Sequence, residues 1–198
     1  MSNFEFVFSL FALLLGFSLV EVLGGLGRTV KLGARIRLRG AREGEQVRIG
    51  WLTPLLGLIV MLDLTSFWVL AWHARDHVPP TYEALMAGLL ITGIYYLAAM
   101  LVFPERPEEW PDLDDFYMTH RRPVVAGVAA CNILAHSAGL AIGSETVPDA
   151  PAALAVVAVF YALLAGAFVA KRPRVQLAIL ATLAAFYVFG GLAVRALG

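Results

Sequence analysis

An all-α, polytopic membrane bundle of six spanning helices is the fold class this sequence predicts, on three observations. The 198 residues are 60% hydrophobic and only 15% charged, with a mean hydropathy of +0.76, where ordinary soluble domains carry about 25% charged residues. Six apolar windows, at about 6–27, 50–72, 83–103, 123–143, 152–170 and 175–196, approach the roughly 20 residues that take a helix across about 30 Å of hydrocarbon. The basic residues gather in alternate connections, so one inside–outside assignment fits every span. A transmembrane β-barrel would instead show segments of about ten residues with alternating polarity. These windows are twice as long and apolar on all sides. They use most of the chain, so residues 1–198 form a single transmembrane domain.

The first span follows the N-terminus "MSNFEF", which has Glu5 and no Lys or Arg. A secretory signal begins with a basic region and has a shorter apolar run, so this span is expected to stay in the mature protein. Ser18, Glu21 and Gly25 form a polar and small stripe along it. The loop at 28–49 then carries Arg28, Lys31, Arg35, Arg37, Arg39, Arg42 and Arg48. With Arg106, Arg121 and Arg122 in the third connection and Lys171, Arg172 and Arg174 in the fifth, it accounts for thirteen of the fifteen basic residues. The positive-inside rule makes these three loops cytoplasmic and both termini external, which places the chain in the plasma (inner) membrane. "RIRLRGAR" has the density of a phosphate-binding strip. No nucleic-acid-binding fold accompanies it, however, and no aromatic residue interleaves the arginines before Trp51. The loop is expected to set topology and to lie on anionic lipid through Arg35, Arg37 and Arg39, with no nucleic acid as partner.

The second span, "LGLIVMLDLTSFWVLAW", carries Asp63 near its centre and Ser66 one turn on. The external turn "HARDHVPP" holds His73, Asp76 and His77 and is read as an exposed turn rather than a metal site. The third span contributes Tyr95 and Tyr96 at mid-depth. In the third connection, "PERPEEWPDLDDFYMTHRRP", Leu113, Phe116, Tyr117 and His120 recur at i, i+3, i+4 and i+7. Acids occupy the first turn and Arg121 and Arg122 the last, as the helix dipole prefers. The pattern predicts an amphipathic helix over about 112–122 at the cytoplasmic interface, followed by a fourth span opening at Pro123. On that span Asn132, His136, Gly139 and Gly143 share one stripe. Small residues allow close helix approach, so the stripe points inward. Cys131, the single cysteine, is a small packing residue. Tyr161 on span five and Thr182 and Tyr187 on span six add further mid-depth hydroxyls. Trp51, Trp68, Trp72 and Trp110 lie near span ends, as an aromatic belt requires.

A carboxylate at the centre of a spanning helix costs about 2.5–3.5 kcal/mol on insertion scales, and such groups face the bundle interior. Counting about 1.5 Å per residue puts Asp63 and His136 each roughly 20 Å from the cytoplasmic edge and Asn132 about 14 Å. Glu21 is shallower, about 9 Å from that edge. A gapless offset of 69 residues also aligns Pro54 with Pro123 and Asp63 with Asn132, as a duplicated hairpin would. Asp63, His136, Asn132, Glu21 and Ser66 are therefore the candidate polar core. These intramembrane groups favour a small transporter or channel for protons, cations or a small solute, with Asp63 and His136 as its titratable pair. The alternative is a non-transporting scaffold, assembly factor or complex subunit, with these side chains as packing elements. The chain is short for a secondary transporter, and a homo-oligomer or a membrane partner subunit would answer that. Motifs of hydrolases, zinc proteases and phosphate-binding loops are missing. His73 and His136 differ in depth by about 10 Å, too much for one haem, so no cofactor and no metal is expected.

Overall fold

The computed structural model describes residues 3–39, 47–145 and 150–197, without the side chains at 3, 4, 6, 7, 37, 39 and 191–197. Its elements are α1 (Asn3–Arg39), α2 (Leu52–His73), α3 (Tyr82–Met100), a 3-10 turn (Pro107–Glu109), α4 (Leu113–Ala141), α5 (Pro151–Val169) and α6 (Pro173–Leu197). Six helices are long and apolar enough to cross a bilayer, and no strand occurs among the described residues. Leu13, Val20, Leu97, Val169 and Phe189 stand exposed on the outside. This apolar surface is consistent with a multi-pass membrane protein in contact with lipid.

Helix starts follow local chemistry. Thr81 caps α3 by accepting from the Ala84 N–H at 3.4 Å, and Asp112 caps α4 by accepting from the Asp114 N–H at 2.8 Å. Pro151 opens α5, where a missing N–H costs nothing. α2 lacks a side-chain cap from its own Trp51 and takes one from α4. The Asp114 carboxylate accepts from the Leu52 N–H at 3.0 Å, and the Thr53 hydroxyl donates to the Leu113 carbonyl at 2.7 Å. Arg48 adds two backbone bonds, donating to Pro111 and accepting from Leu113. The first and third connections are thereby tied together at one end of the bundle.

Two elements differ from the sequence expectation. The basic stretch at 28–49 begins as helix: α1 runs 37 residues without a break to Arg39, about 55 Å at 1.5 Å per residue. Arg35 is exposed on that extension. The Arg37 and Arg39 side chains, and Arg42 altogether, lie outside the described residues. The second difference is that no separate interfacial helix exists at 112–122. α4 continues from Leu113 to Ala141 with Pro123 inside it. Leu113, Phe116 and Tyr117 are buried, so the amphipathic face covers the bundle core rather than a lipid surface. Tertiary packing across that face holds the helix together through a proline that would by itself favour a break.

Around the bundle the neighbours run α1, α3, α4, α5, α6, α2 and back to α1, and α2 also packs on α4. The 69-residue offset relates the packed pair α2 and α4 but not the helices flanking them. α3 packs on α4, but its offset equivalent α5 makes no comparable contact with α2, whose flank is covered by α6. α1, α2 and the end of the third span meet around the buried Phe103. A Cβ at Gly25 would stand 2.5 Å from the Phe103 ring, and one at Gly57 2.8 Å from it. Gly25→Ala is therefore expected to destabilise the bundle by about 1–3 kcal/mol through overpacking. Unfolding in mixed micelles measures this, and Phe103→Leu in the same chain should recover part of the loss.

Candidate functional site

Each spanning helix in the centre buries one stripe, and the polar residues fall on those stripes. On α2 the stripe is Leu52, Leu56, Ile59, Val60, Asp63 and Leu64. On α3 it is Ile91, Thr92, Tyr95, Ala98 and Ala99. α4 buries Val124, Val125, Val128, Cys131 and Ala135, with Asn132 alongside. α6 turns Gln176, Leu180 and Leu183 inward, and Tyr187 lies one turn beyond Leu183. The apolar positions orient the helices, and the same rotation carries four polar side chains to one point.

That point is the Asp63 carboxylate, 1% exposed. Oδ2 accepts from the Tyr95 hydroxyl at 2.9 Å. Oδ1 accepts from the Asn132 amide at 2.8 Å and from the Tyr187 hydroxyl at 2.6 Å. The Asn132 amide also donates to the Val128 carbonyl at 2.9 Å. Phe67 packs on Tyr95, with ring centroids 5.4 Å apart, and Phe160 packs edge-on to Tyr187 at 5.7 Å, so the two hydroxyls are held in place. The node joins α2, α3, α4 and α6. Between it and the basic end, about 16 Å of helix rise away, Leu56, Val60, Val124, Val125 and Val128 are all buried. These apolar side chains separate the node from the polar residues buried at the basic end.

The expected site residues are thus divided. Asp63 and Asn132 meet. The bonded partner of His136 is instead Glu145, with Nδ1 2.9 Å from Oε2, and its side chain is half exposed. Glu21 lies outside the node and pairs along its own helix with Arg28 at 3.5 Å. Ser66 is exposed. The stripes of small and polar residues predict both inward. A short stripe does not fix a helix's rotation, and here the longer apolar stripe does. Glu145 had no signal in the span pattern. It reaches His136 because Gly143, with φ +72°, ends α4 in a left-handed turn that suits glycine. The chain then folds back, and the Ser144 and Glu145 N–H groups donate to the Gly139 carbonyl. No group of three His, Cys, Asp or Glu side chains converges among the described residues.

No family model, curated protein or solved structure matches this chain. The chemistry must therefore be read from the residues themselves. A second buried polar group, absent from the sequence expectation, lies at the basic end. Arg121 is 4% exposed and Gln176 fully buried. The Arg121 guanidinium donates to the carbonyls of Ala170 at 2.7 Å, Ala167 at 3.3 Å and Met118. The Gln176 amide donates to the same Ala167 and Ala170 carbonyls at 2.8 and 2.7 Å, and its Oε1 accepts from the Tyr117 hydroxyl at 2.7 Å. These carbonyls end α5 and have no partner within their own helix. A cation there also complements the negative end of the helix dipole. Arg121, expected as a loop charge that sets topology, instead caps a helix from inside the bundle.

Proposed function

We propose that the protein is a non-transporting component of the plasma (inner) membrane, a scaffold, assembly factor or complex subunit. Both termini are external and the basic connections face the cytoplasm. The observation that supports it is the closure of the Asp63 node. Both carboxylate oxygens are engaged by donors from three other helices, and buried Val and Leu side chains stand between the node and the Arg121–Gln176 group at the basic end. A conducting acid needs an open or exchangeable partner on each side, whereas a registering acid needs fixed donors, and this one has fixed donors. A homo-oligomer or a partner subunit fits this role through the cytoplasmic extension of α1.

A transporter or channel for protons, cations or a small solute is the second reading. It is favoured by His136, one turn from Asn132 on α4 and linked to Glu145 toward the external end. Proteoliposomes loaded with a pH-sensitive dye separate the two. Under imposed proton, sodium and potassium gradients the wild-type protein is expected to give no flux above protein-free vesicles. A flux that Asp63→Asn and His136→Ala both abolish, in folded protein, would reverse the choice.

A further inference from the structure

We propose that the cleft between α4 and α5 is a binding site for one anionic phospholipid, with an acyl chain along the cleft and the phosphate at Arg122. This does not rest on either functional reading. The cleft holds about 380 Å³ and is walled by Val125, Ala126, Ala129, Tyr161, Leu164, Ala165, Phe168 and Val169. It exists because Ala126, Ala129 and Ala165 are too small to fill the space between the two helices. From Tyr161 to Val169 it runs about 12 Å, most of the roughly 15 Å that one leaflet's hydrocarbon occupies. Its wall is apolar at every position but Tyr161, so in a bilayer its natural occupant is a chain rather than a headgroup.

Charge identifies the lipid class. At the end of the cleft toward the basic connections, the Arg122 guanidinium lies over the Phe168 ring, 5.6 Å from its centroid. Arg122 is exposed, as are Lys171 and Arg172 in the α5–α6 connection just past Val169 and Arg174 in the first turn of α6. None of the four has a carboxylate partner among the described residues. Arg121 beside them is committed to the α5 carbonyls, which leaves Arg122 and its neighbours to meet a phosphate. A planar guanidinium takes phosphate bidentately, and Phe168 fixes its position at the mouth of the cleft. This site is distinct from the basic extension of α1. It selects by a cleft and a charge together, where a bare basic strip selects by charge alone.

Native mass spectrometry of the detergent-purified protein, titrated with phosphatidylglycerol or phosphatidylcholine of identical chains, tests it. The wild type is expected to retain one phosphatidylglycerol in clear preference to phosphatidylcholine. Arg122→Gln should weaken that retention about five-fold, and Arg122→Lys, which keeps the charge but loses the planar fork held over Phe168, should recover only part of it. The double variant Ala126→Leu/Ala165→Leu fills the cleft from two exposed positions and should lose the bound lipid while remaining folded by circular dichroism. Equal retention of the two lipids overturns the proposal. So does full retention in the filled-cleft variant, or a preference that disappears only when Arg35 and Arg48 are changed.

Discussion

Asp63→Ala is expected to destabilise the folded bundle by about 2–4 kcal/mol, while Asp63→Asn is expected to cost about 1 kcal/mol. Alanine removes the one acceptor shared by Tyr95, Asn132 and Tyr187. Each side-chain contact between membrane helices contributes only about 0.6 kcal/mol on average, so three lost contacts account for roughly 2 kcal/mol. The remainder comes from donors left without partners inside a low-dielectric core. Asparagine keeps one oxygen for the Asn132 and Tyr187 donors. Its amide faces the Tyr95 hydroxyl, which can turn to accept because a hydroxyl both donates and accepts. The same asymmetry predicts a rescue. In an Asp63→Leu chain, adding Tyr95→Phe and Tyr187→Phe should recover stability, since removing both partners of a buried bond is far cheaper than removing one. Steric-trap or denaturant unfolding in bicelles measures all of these. A chain in which Asp63→Ala folds as stably as the wild type, yet abolishes an ion flux, would remove the structural role and leave only transport.

Asp63 and Asn132 were legible together because helical rise alone puts them at comparable depth, and apolar stripes on both helices turn them inward. Tyr95 and Tyr187 were visible only as hydroxyls at middle depth, since their assignment requires knowing that α3 and α6 flank α2 and α4. Helix neighbours in a bundle are a three-dimensional fact that spans of near-uniform hydropathy do not encode. Glu21 shows the converse. Its depth is compatible with several partners, and a cation seven residues along its own helix, two turns away, reaches it first. The interfacial helix at 112–122 failed for a related reason. An amphipathic face looks the same whether it meets lipid headgroups or the side of another helix. The capping of α2 by Asp114, and the Thr53 hydroxyl of α2 donating to the Leu113 carbonyl, reveal which it meets. Glu145 was hidden behind a reversal at Gly143 that is local in sequence but brings together residues nine apart.

Arg121→Ala is expected to cost about 2–3 kcal/mol, with Arg121→Lys recovering little of it. The guanidinium reaches carbonyls of Ala170, Ala167 and Met118 with three different nitrogens. Its planar fork spans acceptors that a lysine's single ammonium centre cannot. Hydrogen bonds made by a charged group contribute about 1.5–3 kcal/mol each, but this full sum is not lost. Gln176 covers the Ala167 and Ala170 carbonyls as well, so when Arg121 is removed only Met118 loses its side-chain donor outright. The two caps should therefore be strongly non-additive. Gln176→Ala alone is expected to cost about 1–2 kcal/mol. The double variant should exceed the sum of the singles by about 1 kcal/mol, because it strips the C-terminus of α5 of every buried donor. The coupling distinguishes two accounts of a buried arginine. If Arg121 acts mainly through its charge at the negative end of the α5 dipole, lysine should substitute for it and the Gln176 term should simply add. If it acts by geometry, as the three bonds indicate, lysine fails and the terms couple. A thermal-unfolding cycle on the wild type, the two single alanine variants and the double, with Arg121→Lys beside them, followed by circular dichroism in one detergent, reads the difference directly.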